Sequence, residues 1–215
     1  NLITLLSFVT AIISALFIIA GGSTNFIIAA ILIHLSHVFD CMDGQVARYR
    51  QTPTASGSYF DRVTDQIQVA IWFCAVGYAA YLQSSSVLPV FLSFIGVAFY
   101  SLRGYVKYVA INVEMSRDHR YLEKMAQRRL VENSGNVAGL GFSFSDNARW
   151  FLSEQRKLLE FDEGVFIFML SLALVLNQLM PMLWLFAASQ LFYGLFRSWQ
   201  RGQQIDRNQQ TPIDK

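Results

Sequence analysis

Four aspartates, Asp40, Asp43, Asp61 and Asp65, fall within 26 residues of an otherwise strongly apolar chain, in the stretch DCMDGQVARYRQTPTASGSYFDRVTD. Carboxylate oxygens are the ligands that hard divalent cations prefer, and Mg²⁺ commonly binds substrate phosphates at the same time. Asp40, Asp43, Gly44, Ala47 and Arg48 lie at i, i+3, i+4, i+7 and i+8, which is one stripe of one helix. Gly57, Asp61 and Asp65 lie at i, i+4 and i+8 and form a stripe on the next. The polar turn YRQTPTAS lets the two helices run antiparallel, so the four carboxylates are expected to converge on one pocket. Four clustered like charges need a cation among them. Gly44, Ala47 and Gly57 remove bulk, so that a large ligand can approach the backbone. Arg48 offers a planar fork suited to a phosphate. The chemistry expected is metal plus phosphate: attack at phosphorus in a pyrophosphate-containing substrate.

The elements that must hold these residues belong to a membrane. The chain has 215 residues, 53% of them hydrophobic and 15% charged, against about 25% charged in a soluble domain. A net charge of +2 gives no reason to expect nucleic acid as a partner. A bilayer-spanning helix needs roughly 20 mainly apolar residues. Six segments qualify, at about 2–20, 24–49, 57–82, 88–112, 163–180 and 182–199. The first residues read as the start of a membrane helix and not as a signal peptide. The expected fold class is therefore an all-α polytopic membrane protein, residues 1–215 forming one domain.

Loops 21–24, 83–87 and 179–182 contain no Lys or Arg. The opposite side holds Arg48, Arg50, a stretch 113–161 with eight basic residues, and Arg201 and Arg207. By the excess of positive charge on cytoplasmic loops, both termini and the aspartate-rich stretch are expected in the cytoplasm. The stretch 113–161 reads as a helical insert, with MSRDHRYLEKMAQRRL a charged helix and DNARWFLSEQRKLLEF an amphipathic one capped near Ser145 or Asp146. Trp150, Phe151, Leu158 and Leu159 fit the lipid interface or a solvated pair of helices equally well.

Among the remaining residues, Arg103 and Lys107 at i and i+4 suit an anionic acceptor headgroup, or a counter-charge to the aspartates. His37, one turn before Asp40, and His34 read first as helix-packing residues, and His119 as solvated. Gly135, Gly139 and Gly141 follow no strand and read as a loop, not a phosphate cradle. Cys41 and Cys74 have no ligand spacing and read as buried apolar residues without a disulfide.

The spacing Asp40-x2-Asp43-Gly44-x2-Ala47-Arg48-x8-Gly57-x3-Asp61-x3-Asp65 resembles the signature of the CDP-alcohol phosphotransferases, with every fixed position filled. Residues 1–4, NLIT, are similar to the end of the Pro-Asn-x-x-Thr stretch that often opens the first helix of that family. The resemblance implies transfer of a phosphoalcohol group from a CDP-linked donor to a hydroxyl acceptor with release of CMP, one of the two reactants being a lipid. It implies that Asp40, Asp43 and Asp61 hold two Mg²⁺ or Mn²⁺ ions, that Asp65 contacts metal and is the base, and that Gly44, Ala47 and Gly57 border the nucleotide with Arg48 near the phosphates. It also implies a homodimer. The expected donor is CDP-diacylglycerol, with a polar alcohol or its phosphate as acceptor. Transfer of a CDP-linked headgroup to diacylglycerol is the alternative. A divalent-cation transporter would also carry buried carboxylates but has no need of the glycines, Ala47 and Arg48 at fixed offsets, and a prenyltransferase keeps its aspartate motifs far apart.

Overall fold

The computed structural model describes residues 2–49, 54–127 and 163–210, excepting the side chains of residues 47, 48, 163 and 208–210. Six helices carry the architecture: α1 (Leu2–Ala20), α2 (Ser23–Tyr49), α3 (Ala55–Ser84), α4 (Leu88–Arg117), α5 (Glu163–Val175) and α6 (Leu179–Gln210). Among the described residues there is no strand. Five of the helices, all but α5, are long and apolar enough to cross a membrane. Their outward faces carry Ile12, Ile31, Phe91, Phe94, Trp184 and Phe192 exposed. An apolar surface of this kind suits hydrocarbon and not water.

Small and hydroxyl-bearing residues set the packing. With no hydrophobic force between helices in lipid, close backbone approach and interhelical hydrogen bonds hold them together. The buried face of α1 runs through Ser7, Ala11, Ser14 and Ala15 against α2 and α3. Trp72 Nε1 donates to Ser14 Oγ at 2.7 Å and lies 3.2 Å from Ala11 O, tying α3 to α1. Gly21 and Gly22, at φ +68° and +87°, make the turn into α2. Thr54 caps α3 by accepting the Gly57 N–H at 3.1 Å.

α4 packs against neighbours on two flanks. A Cβ on Gly77 of α3 would stand 2.7 Å from Ser93 Cβ, so the two helices touch there, and Ser93 Oγ donates to Phe73 O at 2.6 Å. On the other flank, α4 packs along α6, where Gly96 receives the Phe186 ring and Gly194 receives Phe99. Phe186 in turn stacks on Phe73 with ring centroids 3.5 Å apart. α5 packs against α2, and its Phe166 meets the rings of Trp72, Phe73 and Tyr100 in the core.

Several sequence expectations need correction. The fifth segment, expected over 163–180, ends at Val175. Asn177 there takes φ +53°, and the Gln178 N–H returns to Ala173 O at 2.8 Å, closing a Schellman turn. α6 accordingly starts at Leu179, not at 182, and runs on to Gln210. The charged helix expected over MSRDHRYLEKMAQRRL is broken: α4 ends at Arg117, Asp118 is extended, and residues 121–127 are helical again. The Asp118 carboxylate accepts the Arg120 N–H at 2.9 Å and pairs with Lys124 Nζ at 2.7 Å, stabilising a turn where a continuous helix would have needed neither. Cys41 and Cys74 are free, as expected, but exposed. In a membrane bundle an apolar residue can face lipid as well as the core. The amphipathic helix expected near DNARWFLSEQRKLLEF, its caps and the glycines 135, 139 and 141 lie outside the described residues.

Candidate active site

The basic end of the bundle, where Arg62, Lys107, Arg117 and Arg201 lie, also holds the aspartates. Their placement begins one turn deeper, with a clasp between α1, α2 and α3. Ser7 Oγ donates to Ser36 O at 3.0 Å, and Ser36 Oγ lies 2.9 Å from Ser7 O and 3.2 Å from Gln68 Oε1. All three side chains are buried. Ser36 is four residues before Asp40 and Gln68 three residues after Asp65, so the clasp fixes the faces of α2 and α3 that carry the carboxylates.

One carboxylate oxygen from each of Asp40, Asp61 and Asp65 lies within 4.8 Å of the others, and the three residues are partly buried. An oxygen-only donor set of this kind fits a hard divalent cation. Two unit charges at that separation repel by about 3.5 kcal/mol at an effective dielectric near 20, before solvent screening.

Asp43, expected in the same pocket, is not part of this group. Its Oδ2 accepts a hydrogen bond from Thr4 Oγ1 of α1. Gly44 and Gly57 are half-buried on α2 and α3. The Gly57 N–H is taken by the Thr54 cap. The backbone of Ala47 and Arg48 continues α2, and their side chains lie outside the description.

Two hollows meet at Asp65. A small cavity of ≈ 80 Å³ runs from the carboxylates into the core, lined by His37, Asp40, Asp65, Gln68, Trp72 and Tyr100 among others. A groove of ≈ 940 Å³ lies between α3 and α4, and Asp65, Gln66, Tyr100 and Lys107 are part of its lining. Cross-links span this groove, among them Gln66 Nε2 to Ser101 Oγ at 2.8 Å and Arg62 Nη1 to Tyr108 Oη at 3.1 Å. The structure separates the two α4 cations that the sequence put side by side. Lys107 lines the groove, whereas the Arg103 guanidinium carbon sits 5.2 Å from the centre of the Tyr100 ring. A spacing of four residues leaves about 40° between side chains, enough to put one on the groove wall and the other beside it.

Ser36, Gln68 and Arg62 escape a reading by motif, and Thr4 enters it only as the last residue of NLIT, with no role attached. The available signal for Gln68 is a polar residue in an apolar helix, one turn from Asp65. Arg62 adjoins Asp61 and passes as spacer.

A family model described as CDP-alcohol phosphatidyltransferase matches residues 1–128. The chain belongs to that family. The match spans α1 to α4 and includes all four aspartates and both hollows' α3 and α4 walls. No curated protein matches the chain. As a CDP-alcohol phosphatidyltransferase it is a multi-pass membrane transferase of phospholipid synthesis, of a family that acts on a CDP-alcohol and an alcohol, one of them a lipid, and that is generally metal-dependent.

Proposed function

We propose that this CDP-alcohol phosphatidyltransferase moves a phosphatidyl group from CDP-diacylglycerol to the hydroxyl of a polar, phosphorylated alcohol and releases CMP. The observation that carries the reading is the meeting of both hollows at Asp65, beside the Asp40 and Asp61 carboxylates. In this reading Asp40, Asp43, Asp61 and Asp65 hold a pair of Mg²⁺ or Mn²⁺ ions. Such a pair, when bound, neutralises the diphosphate and the charge on the departing phosphate. Gly44, Ala47 and Gly57 keep the helix surfaces low beside the nucleotide, with Arg48 near its phosphates.

Asp65 accepts the acceptor's hydroxyl proton. The freed oxygen forms a bond to the donor's lipid-side phosphorus, and the bond from that phosphorus to the bridging oxygen breaks. CMP leaves with the electron pair. Arg103 and Lys107 serve the acceptor's negative charge. The basic end, with the site and both described ends of the chain, faces the cytoplasm, where CMP is soluble, and the groove opens sideways to lipid.

The test is CMP release by the purified protein in lipid micelles with Mg²⁺ or Mn²⁺, with CDP-diacylglycerol and a panel of polar alcohols and their phosphates. CMP formed with one acceptor and lost in Asp61→Asn supports the reading. CMP formed only with CDP-headgroups and diacylglycerol reverses the direction of transfer. No CMP from either pairing rejects it.

A further inference from the structure

Gln68 is only 5% exposed and lies three residues past Asp65, about 4.5 Å deeper along α3. A carboxamide has an acceptor end and a donor end. Among the described residues the side chain makes one hydrogen bond, in which Oε1 accepts from Ser36 Oγ at 3.2 Å. The nitrogen end is left over. Yet it does not belong to the sealed-in polar atoms that lack a partner among the described residues. Nε2 therefore opens into the cavity of ≈ 80 Å³ that Gln68 lines together with Asp40 and Asp65.

Electrostatics sets the same orientation. Carboxylates attract an amide N–H and repel a carbonyl oxygen, and the Ser36 hydroxyl supplies the hydrogen that Oε1 needs. Trp72, on the same cavity wall, spends its N–H on Ser14 at 2.7 Å and offers the carboxylates nothing. Amides and hydroxyls commonly serve as glue between membrane helices, and glue between α2 and α3 accounts for Oε1. It does not account for a second donor turned into a hollow that also holds two carboxylates. That hollow is several times the roughly 15 Å³ that one water needs.

We propose that Gln68 is a positioning residue for the metal-binding aspartates: its Nε2 donates, through water in the small cavity, to Asp40 and Asp65. The role rests on the metal reading above. Carboxylates that ligate a cation keep their orientation through outer hydrogen bonds, and a bridging water serves nearly as well as direct contact. The relay runs from Ser7 of α1 through Ser36 of α2 to Gln68 of α3. A helix that gives no carboxylate to the group thus helps to set its geometry.

Mn²⁺ binding, read by electron paramagnetic resonance on the purified full chain in phosphatidylcholine nanodiscs, tests this, with Tm under chelator measured on the same preparations. Gln68→Met keeps the length and removes both polar ends. It should weaken Mn²⁺ binding about tenfold, the low end of what loss of an outer partner costs. Ser36→Ala keeps the amide but takes the donor from Oε1. It should weaken Mn²⁺ binding by a smaller factor, and it decides the point if Gln68→Met does not fold. Ser14→Ala removes the Trp72 acceptor from the same α1–α3 interface, away from the cavity lining. It should lower Tm and leave Mn²⁺ affinity unchanged. Parent-like affinity in Gln68→Met, or in Ser36→Ala should the first not fold, overturns the proposal. So does an equal loss of affinity in Ser14→Ala, which would assign the effect to loosened packing. A parent that binds no Mn²⁺ rejects the metal reading and the role of Gln68 with it; a parent that binds Mn²⁺ no better than Gln68→Met rejects Gln68 alone.

Discussion

Removing a charge from the aspartate group should stabilise the empty protein while weakening its response to metal. Asp61 has a carboxylate oxygen within 4.8 Å of its counterparts on Asp40 and Asp65. Each pair repels by about 3.5 kcal/mol at an effective dielectric near 20. The side chains are only partly buried, so solvent screening lowers this to roughly 1 kcal/mol per pair. Asp61→Asn removes two such pairs and changes almost no volume. A gain of about 2 kcal/mol in a chain of this size raises Tm by about 4–8 °C. Divalent metal at about 100 times Kd should stabilise the parent by about 2.7 kcal/mol and the variant by much less. The assay is thermal unfolding in detergent with chelator, then with Mg²⁺ or Mn²⁺. A variant less stable than the parent under chelator, or a parent whose Tm ignores both metals, refutes the argument.

Other consequences are as definite. Asp65→Asn should still bind CMP, measured calorimetrically with metal, while CMP-forming turnover disappears; normal turnover removes Asp65 as base. Gly96→Val drives a branched side chain into the Phe186 ring, which is fully buried and stacked on Phe73, so Tm should fall by an amount equivalent to about 1–3 kcal/mol. The Lys124 ammonium, then the Arg120 N–H, hold the Asp118 carboxyl below its ordinary value of 3.8. A depressed carboxyl stabilises the fold above its unfolded pKa and loses that contribution as pH falls through the folded one. Exchange protection over 118–127 should therefore fall as pH drops below about 4, and Lys124→Gln should remove most of that pH dependence.

Much of the site was legible because it depends on helical periodicity within two neighbouring segments. Asp40, Asp61 and Asp65 needed only stripes and an antiparallel turn. Asp43 obeys the same periodicity but is drawn to Thr4, 39 residues away, and no local pattern carries such a partner. The clasp of Ser7, Ser36 and Gln68 has the same character: three ordinary polar residues gain meaning only when three helices meet. The apolar runs located the helices well, since a bilayer demands them. The ends of α4 and α5 depended instead on one side chain's hydrogen bonds at Asp118 and one left-handed residue at Asn177. The exposed cysteines mark the weakness of equating apolar with buried when the solvent is itself apolar.

The contact of Gly77 with Ser93 lies far along α3 from the aspartates, about 18 Å from Asp65 at 1.5 Å per residue. Toward the basic end a groove lies between the same two helices, bridged by Arg62 to Tyr108 and by Gln66 to Ser101. Two rods pressed together at one end behave as tongs, and the opening of tongs is governed at the pivot. The width offered to a reactant is thus decided in the half of the bilayer that does no chemistry. A methyl group added at Gly77 should alter which reactants fit without touching any residue that meets them.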